Sequence, residues 1–441
     1  MAQQTNTKKK PSSVRHTRSN QVARGQKQPP PPPDEATAQR IQEVIHPATL
    51  AQVRYYHDLG LRERLLTLPL MVALVLSLIW RQFASVSEAL RVLKKEGLLW
   101  AAPSQVSQQA LSERLRTLPA ELFHRILQEV LPVMQATWQA RTRPLPDEIQ
   151  WALQHYDRVL AVDGSTLDAL LRRVGLLRDL ADYPLAGRMM ALLDVASRLP
   201  ERLWYTDDPQ AHDQRFWEQI LTVLQAGTLL LLDLGFTNYD YYAKLIGQQV
   251  TFITRCKTNA AYQIKQVLHK SAHLHDYIIG LGKEQLTLRL VMVQYKGKWY
   301  RYLTSELDPE GLPPLYIVAL YWQRWRIEDA YKTIKRLLGL AYFWVGSENG
   351  VTLQVWATWL MYAVLVDLTD DVADTLGVPF ADMSLEMVYR SLYFCTMAYY
   401  RGECDDPVAY LAADAKLFGL IKRKRKPSAL VLLNLTILDD P

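Results

Sequence analysis

The stretch RVLAVDGS, residues 158–165, is a short apolar run that ends in an aspartate and a glycine. A run of this length, bounded by turn residues, predicts a buried β-strand rather than a helix. Four similar runs follow, at residues 188–197, 201–207, 227–235 and 249–257. One helical pattern precedes the run at 227–235, and another lies between that run and the run at 249–257. This order of strands and helices predicts an α/β domain with a mixed sheet.

The chain outside these runs predicts a multi-part organisation. Residues 1–34 are rich in Ser, Gln and Lys and end in five prolines, which is typical of a disordered basic arm. Residues 35–150 read as helical, with Ser85 and Glu88 forming a plausible capping box. Further strand-like runs occur within residues 257–318, and most of the chain from 346 to 441 reads as helical again.

Composition places the chain among globular proteins with a polyanion-attracting charge distribution. Of 441 residues, 49% are hydrophobic and 22% are charged, and the formal net charge is +6. The first 33 residues carry seven Lys or Arg, and the run KRKRK at 422–426 carries five, so the remaining 39 basic and 45 acidic residues have a net charge of −6. Basic tails of this kind attract nucleic acid, although simple solvation is the alternative.

Cysteine usage and hydropathy indicate neither a disulfide framework nor a membrane partner. The three cysteines show no CxxC spacing, which suits a reducing compartment and does not favour a zinc site. The uncharged runs at 65–80 and 350–366 are short for a membrane span and are interpreted as buried helices. No secretory signal is predicted from the polar N-terminus.

Two aspartates stand at matching places in the predicted sheet. Asp163 and Asp233 each follow a buried strand and precede a turn. Single aspartates there are usually turn or capping residues, but a pair combined with a helical Glu can hold two divalent ions roughly 3.5–4 Å apart. Glu328 is the candidate third carboxylate.

Glu328 lies in YWQRWRIEDAYKTIKRLLGL, residues 321–340, which predicts one helix. At about 100° per residue, Tyr321, Arg324, Glu328 and Lys335 share a face roughly 60° wide. Solvent-exposed i,i+4 pairs would give the same pattern and are the simpler alternative for this stretch alone. Beside a metal site, however, Arg324 and Lys335 could bind phosphates that flank the reacting one, and Tyr321 could donate a hydrogen bond to a phosphate oxygen.

These residues resemble the DDE transposases of bacterial insertion sequences, specifically the insertion-sequence-four family. The family signature Tyr-x2-Arg-x3-Glu-x6-Lys is matched at every position by Tyr321, Arg324, Glu328 and Lys335. The first acidic motif resembles VDGS at 162–165, and the second resembles LDLGF followed by VTFITRCKTN. Leu234 replaces the basic residue that many relatives carry after the second aspartate. The likeness covers about residues 100–365.

The resemblance implies an RNase H-like mixed-sheet catalytic domain over 151–345, with a β-rich insertion over 257–318, flanked by a helical DNA-binding domain over 35–150 and a helical C-terminal region over 346–441. It implies catalysis and metal binding by Asp163, Asp233 and Glu328, with Mg²⁺ or Mn²⁺, two ions in all. It implies DNA binding by Tyr321, Arg324 and Lys335. Trp299 is a candidate for stacking on a flipped base, with a core tryptophan as the alternative.

The activity that the resemblance implies is cut-and-paste transposition in the bacterial cytoplasm, at the nucleoid. The partners would be double-stranded DNA, both the terminal inverted repeats and the target, and a second copy of the chain in a synaptic homodimer. Two alternatives stay open: a transposase-derived DNA-binding protein without catalysis, and a nuclease that cuts but never joins. The presence of all three carboxylates and the full signature argues against loss of catalysis.

Overall fold

The structure is a computed structural model of the chain, and it describes residues 35–61, 64–83, 85–167, 187–208, 210–340 and 347–422. The predicted basic arm over 1–34 and the last four residues of the basic run at 422–426 lie outside the described residues.

The described residues form one nine-stranded mixed sheet. Its strands are β1 (Arg158–Thr166), β2 (Arg188–Asp194), β3 (Pro200–Thr206), β4 (Thr228–Leu232), β5 (Thr251–Arg255), β6 (Tyr262–Lys270), β7 (Leu274–Leu281), β8 (Leu286–Tyr295) and β9 (Lys298–Thr304). The spatial order is β3-β2-β1-β4-β5-β9-β8-β7-β6. The predicted α/β class with a mixed sheet is confirmed.

Strand direction divides the sheet into two parts. β1, β2 and β3 are antiparallel neighbours, whereas β4 and β5 run parallel to β1. β9 then pairs antiparallel with β5, and the β6–β9 meander continues the sheet. All five strands predicted between residues 158 and 257 are present, with small differences at their ends.

The helices surround this sheet and also pack on one another. Their bounds are α1 (Glu35–Ala51), α2 (Val53–Asp58), α3 (Leu68–Trp80), α4 (Val86–Lys95), α5 (Gln108–Thr117), α6 (Glu121–Ala140), α7 (Asp147–His155), α8 (Trp217–Val223), α9 (Tyr239–Gly247), α10 (Pro314–Gln323), α11 (Trp325–Lys332), α12 (Glu348–Leu376), α13 (Leu385–Tyr400) and α14 (Pro407–Ala413). The predicted helical character of the N-terminal region is confirmed. Ser85 is the N-cap of α4, and its hydroxyl accepts a hydrogen bond from the Glu88 N–H at 3.2 Å.

Helix α12 is the central element of the helical part. It is long and apolar enough to cross a membrane, but 94% of its most apolar window is buried inside the protein. The first turn of the helix is capped by Ser347, whose side chain accepts from Gly350 N–H. Residues of α3, α6 and α14 share its hydrophobic core. The apolar run at 350–366 is therefore the core helix that the sequence predicts.

Alternation along β1 and β4 gives the sheet two apolar faces. Leu160 and Val162 belong to the core that includes α8 and α9, together with Leu230 and Leu232. Val159 and Ala161 belong to the core that includes α7 and α10. Strands buried on both faces explain the continuous apolar runs in the sequence. By the same alternation, residue 163 in β1 faces the side of the sheet that α10 covers.

Candidate active site

Parallel pairing of β1 with β4 brings the two predicted aspartates side by side, although Asp163 lies inside β1, paired with Ala191, and not at the end of the strand as predicted. Val162 is paired with Leu232 in the parallel ladder, and Asp163 and Asp233 are the next residues in the two strands. Asp233 keeps an extended backbone, with φ −75° and ψ 163°, before a 3-10 turn begins at Leu234. The parallel register therefore positions both carboxylates at one edge of the sheet, on the α10 side.

Glu328 reaches this edge from the helical stretch predicted over 321–340. The stretch is helical, but it is divided: α10 ends at Gln323, α11 begins at Trp325, and residues 333–337 form a π-helical turn. The expectation of one regular helix is corrected at Arg324, which caps both helices, with its N–H donating to the Tyr321 carbonyl at 3.1 Å.

All three predicted carboxylates lie around the guanidinium of Arg324. Arg324 Nη1 is 3.4 Å from Asp163 Oδ2, and Arg324 Nη2 is 3.1 Å from Glu328 Oε1 and 3.6 Å from Asp233 Oδ1. Arg324 itself is only 5% exposed. Three acidic side chains from three separate elements thus share one cation.

Burial acts against ionisation of the first aspartate. It raises the pKa of Asp163 to about 6, although the nearby Arg324 charge and the Gly164 N–H, which donates to Asp163 Oδ1 at 2.8 Å, act in the opposite direction. Asp233 and Asp213 add like charge that raises this pKa further. A buried carboxylate of this kind is stabilised by additional positive charge.

Two side chains from the signature stretch contact the backbone of β1. Tyr331 O–H donates to the Asp163 carbonyl at 2.6 Å, and Lys335 Nζ donates to the Thr166 carbonyl at 2.5 Å. Burial raises the pKa of Tyr331 well above its ordinary value, so the hydroxyl stays protonated and remains a donor. These contacts fix the end of β1 against α11 and the π-helical turn.

A fourth acid, Asp213, lies next to Gly164 in β1 and Gly235 after β4. Its Oδ1 accepts from Arg188 Nε at 2.9 Å. A Cβ at Gly164 would come within 2.2 Å of Asp213 Oδ1, and one at Gly235 would lie 3.5 Å from its Oδ2. The Arg188–Asp213 pair therefore packs directly against the residue that follows Asp163.

The donor set has the chemistry of a divalent-cation site, since hard cations such as Mg²⁺ prefer carboxylate oxygens. Within the part of the chain that the structure describes, no three His, Cys, Asp or Glu side chains are close enough together to hold a metal ion. The reason here is geometric: the Arg324 guanidinium stands between the three carboxylates and occupies the point on which they converge. The three carboxylates therefore suit a bound cation, and in this structure the cation that they contact is the Arg324 guanidinium.

The remaining predicted residues lie at different depths. Tyr321 is 5% exposed and packs edge-on against Tyr302, with 5.2 Å between ring centroids. Trp299 is partly buried in β9, and its ring lies 4.6 Å from that of His275. Because Tyr302 pairs with Arg255 at the end of β5, Trp299 lies beyond the carboxyl end of that strand. Its ring packs against the core that includes α8 and α9, so it lies on the face of the sheet opposite to the carboxylates.

Comparison with known families agrees with this geometry. Residues 157–364 match the model of a family described as "Transposase DDE domain". We call residues 157–364 the DDE domain, after the family model that they match. The match includes every predicted site residue, and it confirms the resemblance to DDE transposases of the insertion-sequence-four type.

Curated relatives of the DDE domain bear the same description. A protein of Sinorhizobium fredii provisionally named a transposase is 27% identical over 191 residues, which are 40% of this chain and 52% of that protein. A Synechocystis protein provisionally named the transposase for insertion sequence element IS4SA is 25% identical over 161 residues, 35% of this chain and 46% of the relative. Transposase InsG for insertion sequence element IS4, from Escherichia coli, is 28% identical over 158 residues, 33% and 36% of the two chains. The matched part thus spans about half the length of the first two relatives.

Sequence reasoning missed several residues of the DDE domain that border the carboxylates. Tyr331 lies three residues after Glu328 and carried no separate signal, because a helical tyrosine on an apolar stripe reads as core. Arg188 and Asp213 are 25 residues apart in sequence, and only the fold joins them. Trp325 is 54% exposed, and the Arg324 guanidinium lies 5.2 Å from its ring centroid. Exposure of so large an aromatic was not evident from the sequence.

Proposed function

We propose that this chain is a DNA transposase that cuts DNA at the terminal inverted repeats of an insertion sequence and joins the freed ends to target DNA. One observation carries the proposal: Asp163, Asp233 and Glu328, from two strand ends and a helix, surround a single cationic group. Cleavage and joining of DNA are both phosphoryl transfers, which depend on positioning and on neutralisation of negative charge.

Asp163, Asp233 and Glu328 would hold Mg²⁺ or Mn²⁺, two ions in all. When bound, such ions activate the attacking oxygen and neutralise charge on the leaving oxygen. The protein's own residues orient the carboxylates: Gly164 N–H and Arg324 bind Asp163, and Tyr331 holds the strand that carries it. Lys335, Arg324 and Tyr321 would contact phosphates next to the reacting one once DNA is bound.

The fold proposed for the DDE domain is RNase H-like. The order β3-β2-β1-β4-β5, with β2 alone reversed, supports this reading. Residues 257–318, which contain β6–β9, would be the β-rich insertion of a catalytic domain over 151–345. Trp299, at the carboxyl edge, would stack on an unpaired base during strand cleavage. Residues 35–150 would bind the terminal repeats, and 346–441 would form the C-terminal helical region.

The partners proposed are double-stranded DNA and a second copy of the chain, because synapsis of two element ends requires two active sites. The place of action proposed is the bacterial cytoplasm, at the nucleoid. A transposase-derived DNA-binding protein without catalysis is the alternative, and it predicts DNA binding with no cleavage under any metal condition. A nuclease that only cuts would yield no strand-transfer product on a target plasmid.

The deciding experiment replaces Glu328 with Gln, which removes a charge with little change in shape. We expect the variant to lose cleavage of element-end DNA by a factor of about 10³ or more, because charge stabilisation in the transition state is lost. Binding to the same DNA, measured by fluorescence anisotropy, should change by less than about tenfold. The matched control is Glu386→Gln on α13, where the carboxylate is exposed and pairs with Arg390 at 2.8 Å.

The control should cleave like the wild-type protein. Wild-type cleavage that persists in Glu328→Gln with Mg²⁺ present would contradict the assignment of Glu328. Absence of cleavage by the wild-type chain on matched element ends, with DNA binding retained, would favour the non-catalytic alternative.

A further inference from the structure

Arg198 is an almost completely enclosed cation without an acidic partner. It lies in the turn between β2 and β3 and is 5% exposed. Among the described residues, no carboxylate lies within ion-pair distance of its guanidinium, and no side chain or carbonyl accepts a hydrogen bond from it. The guanidinium instead lies over the ring of Phe380, 4.4 Å from the centroid. Buried charges in folded proteins are normally paired, so this one calls for a ligand.

Two further cations border Arg198. Lys422 Nζ donates to the carbonyl of Ala381, the residue next to Phe380, at 3.4 Å. Arg326 is on α11, where its Nε donates to Gln323 Oε1 at 2.9 Å. Burial lowers the pKa of Arg198 to about 9, and the charge of Arg326 lowers it further. The pKa of Lys422, a residue that keeps contact with solvent, is likewise lowered to about 8 by partial desolvation and by repulsion from Arg198 and Arg326.

The acids near these cations also have other partners. Asp329 is 3.9 Å from Arg326 but is shared with Lys332, whose Nζ is 3.3 Å away. Asp382 is near Lys422, and its carbonyl accepts from the Lys422 N–H at 2.7 Å. Asp370 is ion-paired with Arg141 and Arg143, and its charge acts on Arg198 only from beyond ion-pair distance. Glu148 is near Arg326, but its carboxylate accepts a hydrogen bond from Gln323. Among the described residues, Arg198 is therefore left without an acid at ion-pair distance.

We propose that Arg198, Arg326 and Lys422 form a phosphate-binding site that holds the backbone of DNA away from the reacting phosphate. The inference rests on the proposed function, which supplies the nucleic acid. Arg326 and Glu328 are two residues apart, about 200° around α11. One helix would thus contact the scissile region on one face and a second backbone phosphate on the other.

The test measures how DNA affinity depends on salt in the full-length protein. Each phosphate contact that is lost makes the slope of log K against log salt shallower by about 0.9. When salt rises from 50 to 200 mM, the loss of DNA affinity should therefore be ~3.5-fold smaller in the variant than in the wild-type protein. We expect this change for Lys422→Gln and for Arg198→Gln, with element-end duplex and with random duplex of equal length. Arg198→Lys keeps the charge and should keep the wild-type slope.

The control is Lys244→Gln, which removes an exposed lysine that pairs with Glu218 at 2.7 Å. Its slope should match the wild type. The proposal would be overturned if both Lys422→Gln and Arg198→Gln kept the wild-type dependence of DNA affinity on salt. This holds also if Arg198→Gln lowers the melting temperature, because a purely structural role would have that effect. A site for free phosphate would appear in calorimetry as Lys422-dependent binding of inorganic phosphate with no change in the DNA slope, and this too would overturn it. Failure of the proposed function is separate, because it would appear as absent cleavage while the slopes on random duplex stay measurable.

Discussion

At the scale of single residues, Arg324 has a different setting from the one its place in the signature suggests. The sequence predicts a side chain that binds DNA phosphate, whereas the structure has it surrounded by Asp163, Asp233 and Glu328. A guanidinium in this position offsets repulsion among three carboxylates, which would otherwise oppose their close approach. For Arg324 to contact a DNA phosphate, its guanidinium would have to give up at least one of these three carboxylate contacts.

Replacement of Arg324 should therefore destabilise the chain when no divalent metal is present. We expect Arg324→Gln to lower the free energy of unfolding by about 2 kcal/mol in chelator, because the carboxylates lose a largely buried partner. Urea denaturation followed by circular dichroism measures this. The control, Arg390→Gln, removes an exposed ion pair with Glu386 and should cost less than about 1 kcal/mol. Equal losses in the two variants would show that the Arg324 contacts add no stability.

At the scale of elements, the part of β1 that follows Asp163 packs closely against the Arg188–Asp213 ion pair. Gly164→Ala would bring a Cβ within 2.2 Å of Asp213 Oδ1 and 2.8 Å of Arg188 Nη2, so the ion pair must shift. We expect a loss of about 1–3 kcal/mol in the free energy of unfolding, typical of overpacking, together with reduced cleavage.

Gly235→Ala is the matched control for this prediction, because its Cβ would meet Asp213 only at an ordinary contact distance of 3.5 Å. Its melting temperature and cleavage should stay close to the wild type. If Gly164→Ala behaved in the same way as Gly235→Ala, the packing of Asp213 against β1 would contribute neither to stability nor to cleavage.

How far the sequence predicts these elements depends on where each side chain is buried. β1, β2, β4 and β5 were predictable because burial on both faces gives unbroken apolar runs. β3 is an edge strand with only two of seven residues buried, and its short apolar run still indicated a strand. β6, at the other edge, was not predictable, since most of its residues are exposed and leave no apolar pattern. The helical wheel brought Arg324 and Glu328 to one face, as found, but the break at Arg324 and the π-helical turn at 333–337 depend on packing against β1 and α12 rather than on local propensity.

The contacts among carboxylates, Tyr331, Asp213 and Arg188 could not be predicted individually. Matching aspartates at the ends of two strands predicted that two acids would meet, because parallel strands end at the same edge. The partners of those acids come from distant parts of the chain, and only the assembled sheet brings them there.

At the scale of the whole molecule, a buried ion-pair network joins the N-terminal helices to α12. Asp370, whose side chain is 1% exposed, binds Arg141 at 2.7 Å and Arg143 at 2.6 Å. Arg141 and Arg40 also bind Asp367, at 2.7 Å and 2.8 Å. The network connects α1 and the segment after α6 to the core helix behind the DDE domain.

Asp370→Asn should destabilise this connection strongly, because it leaves buried arginines without compensation. We expect a loss of about 3 kcal/mol in the free energy of unfolding, measured by chemical denaturation. Asp371→Asn is the control: its side chain is 35% exposed and its close pair is with Arg40 at 2.7 Å, so the loss should be below about 1 kcal/mol. A similar small loss for Asp370→Asn would indicate that the network contributes little to stability.

The pairing of β9 with β5 has a consequence for how a substrate would fit. Tyr302 and Arg255 are joined in the same hydrogen-bonded sheet that positions Asp163 and Asp233, so Trp299 sits at a nearly fixed separation from the acids. Strands β6–β9 therefore cannot swing as a separate unit toward the edge that carries the carboxylates. If one nucleotide is to meet the indole while another meets the carboxylates, the DNA strand has to unpair and cross the edge of the sheet, because the two groups face opposite sides of it.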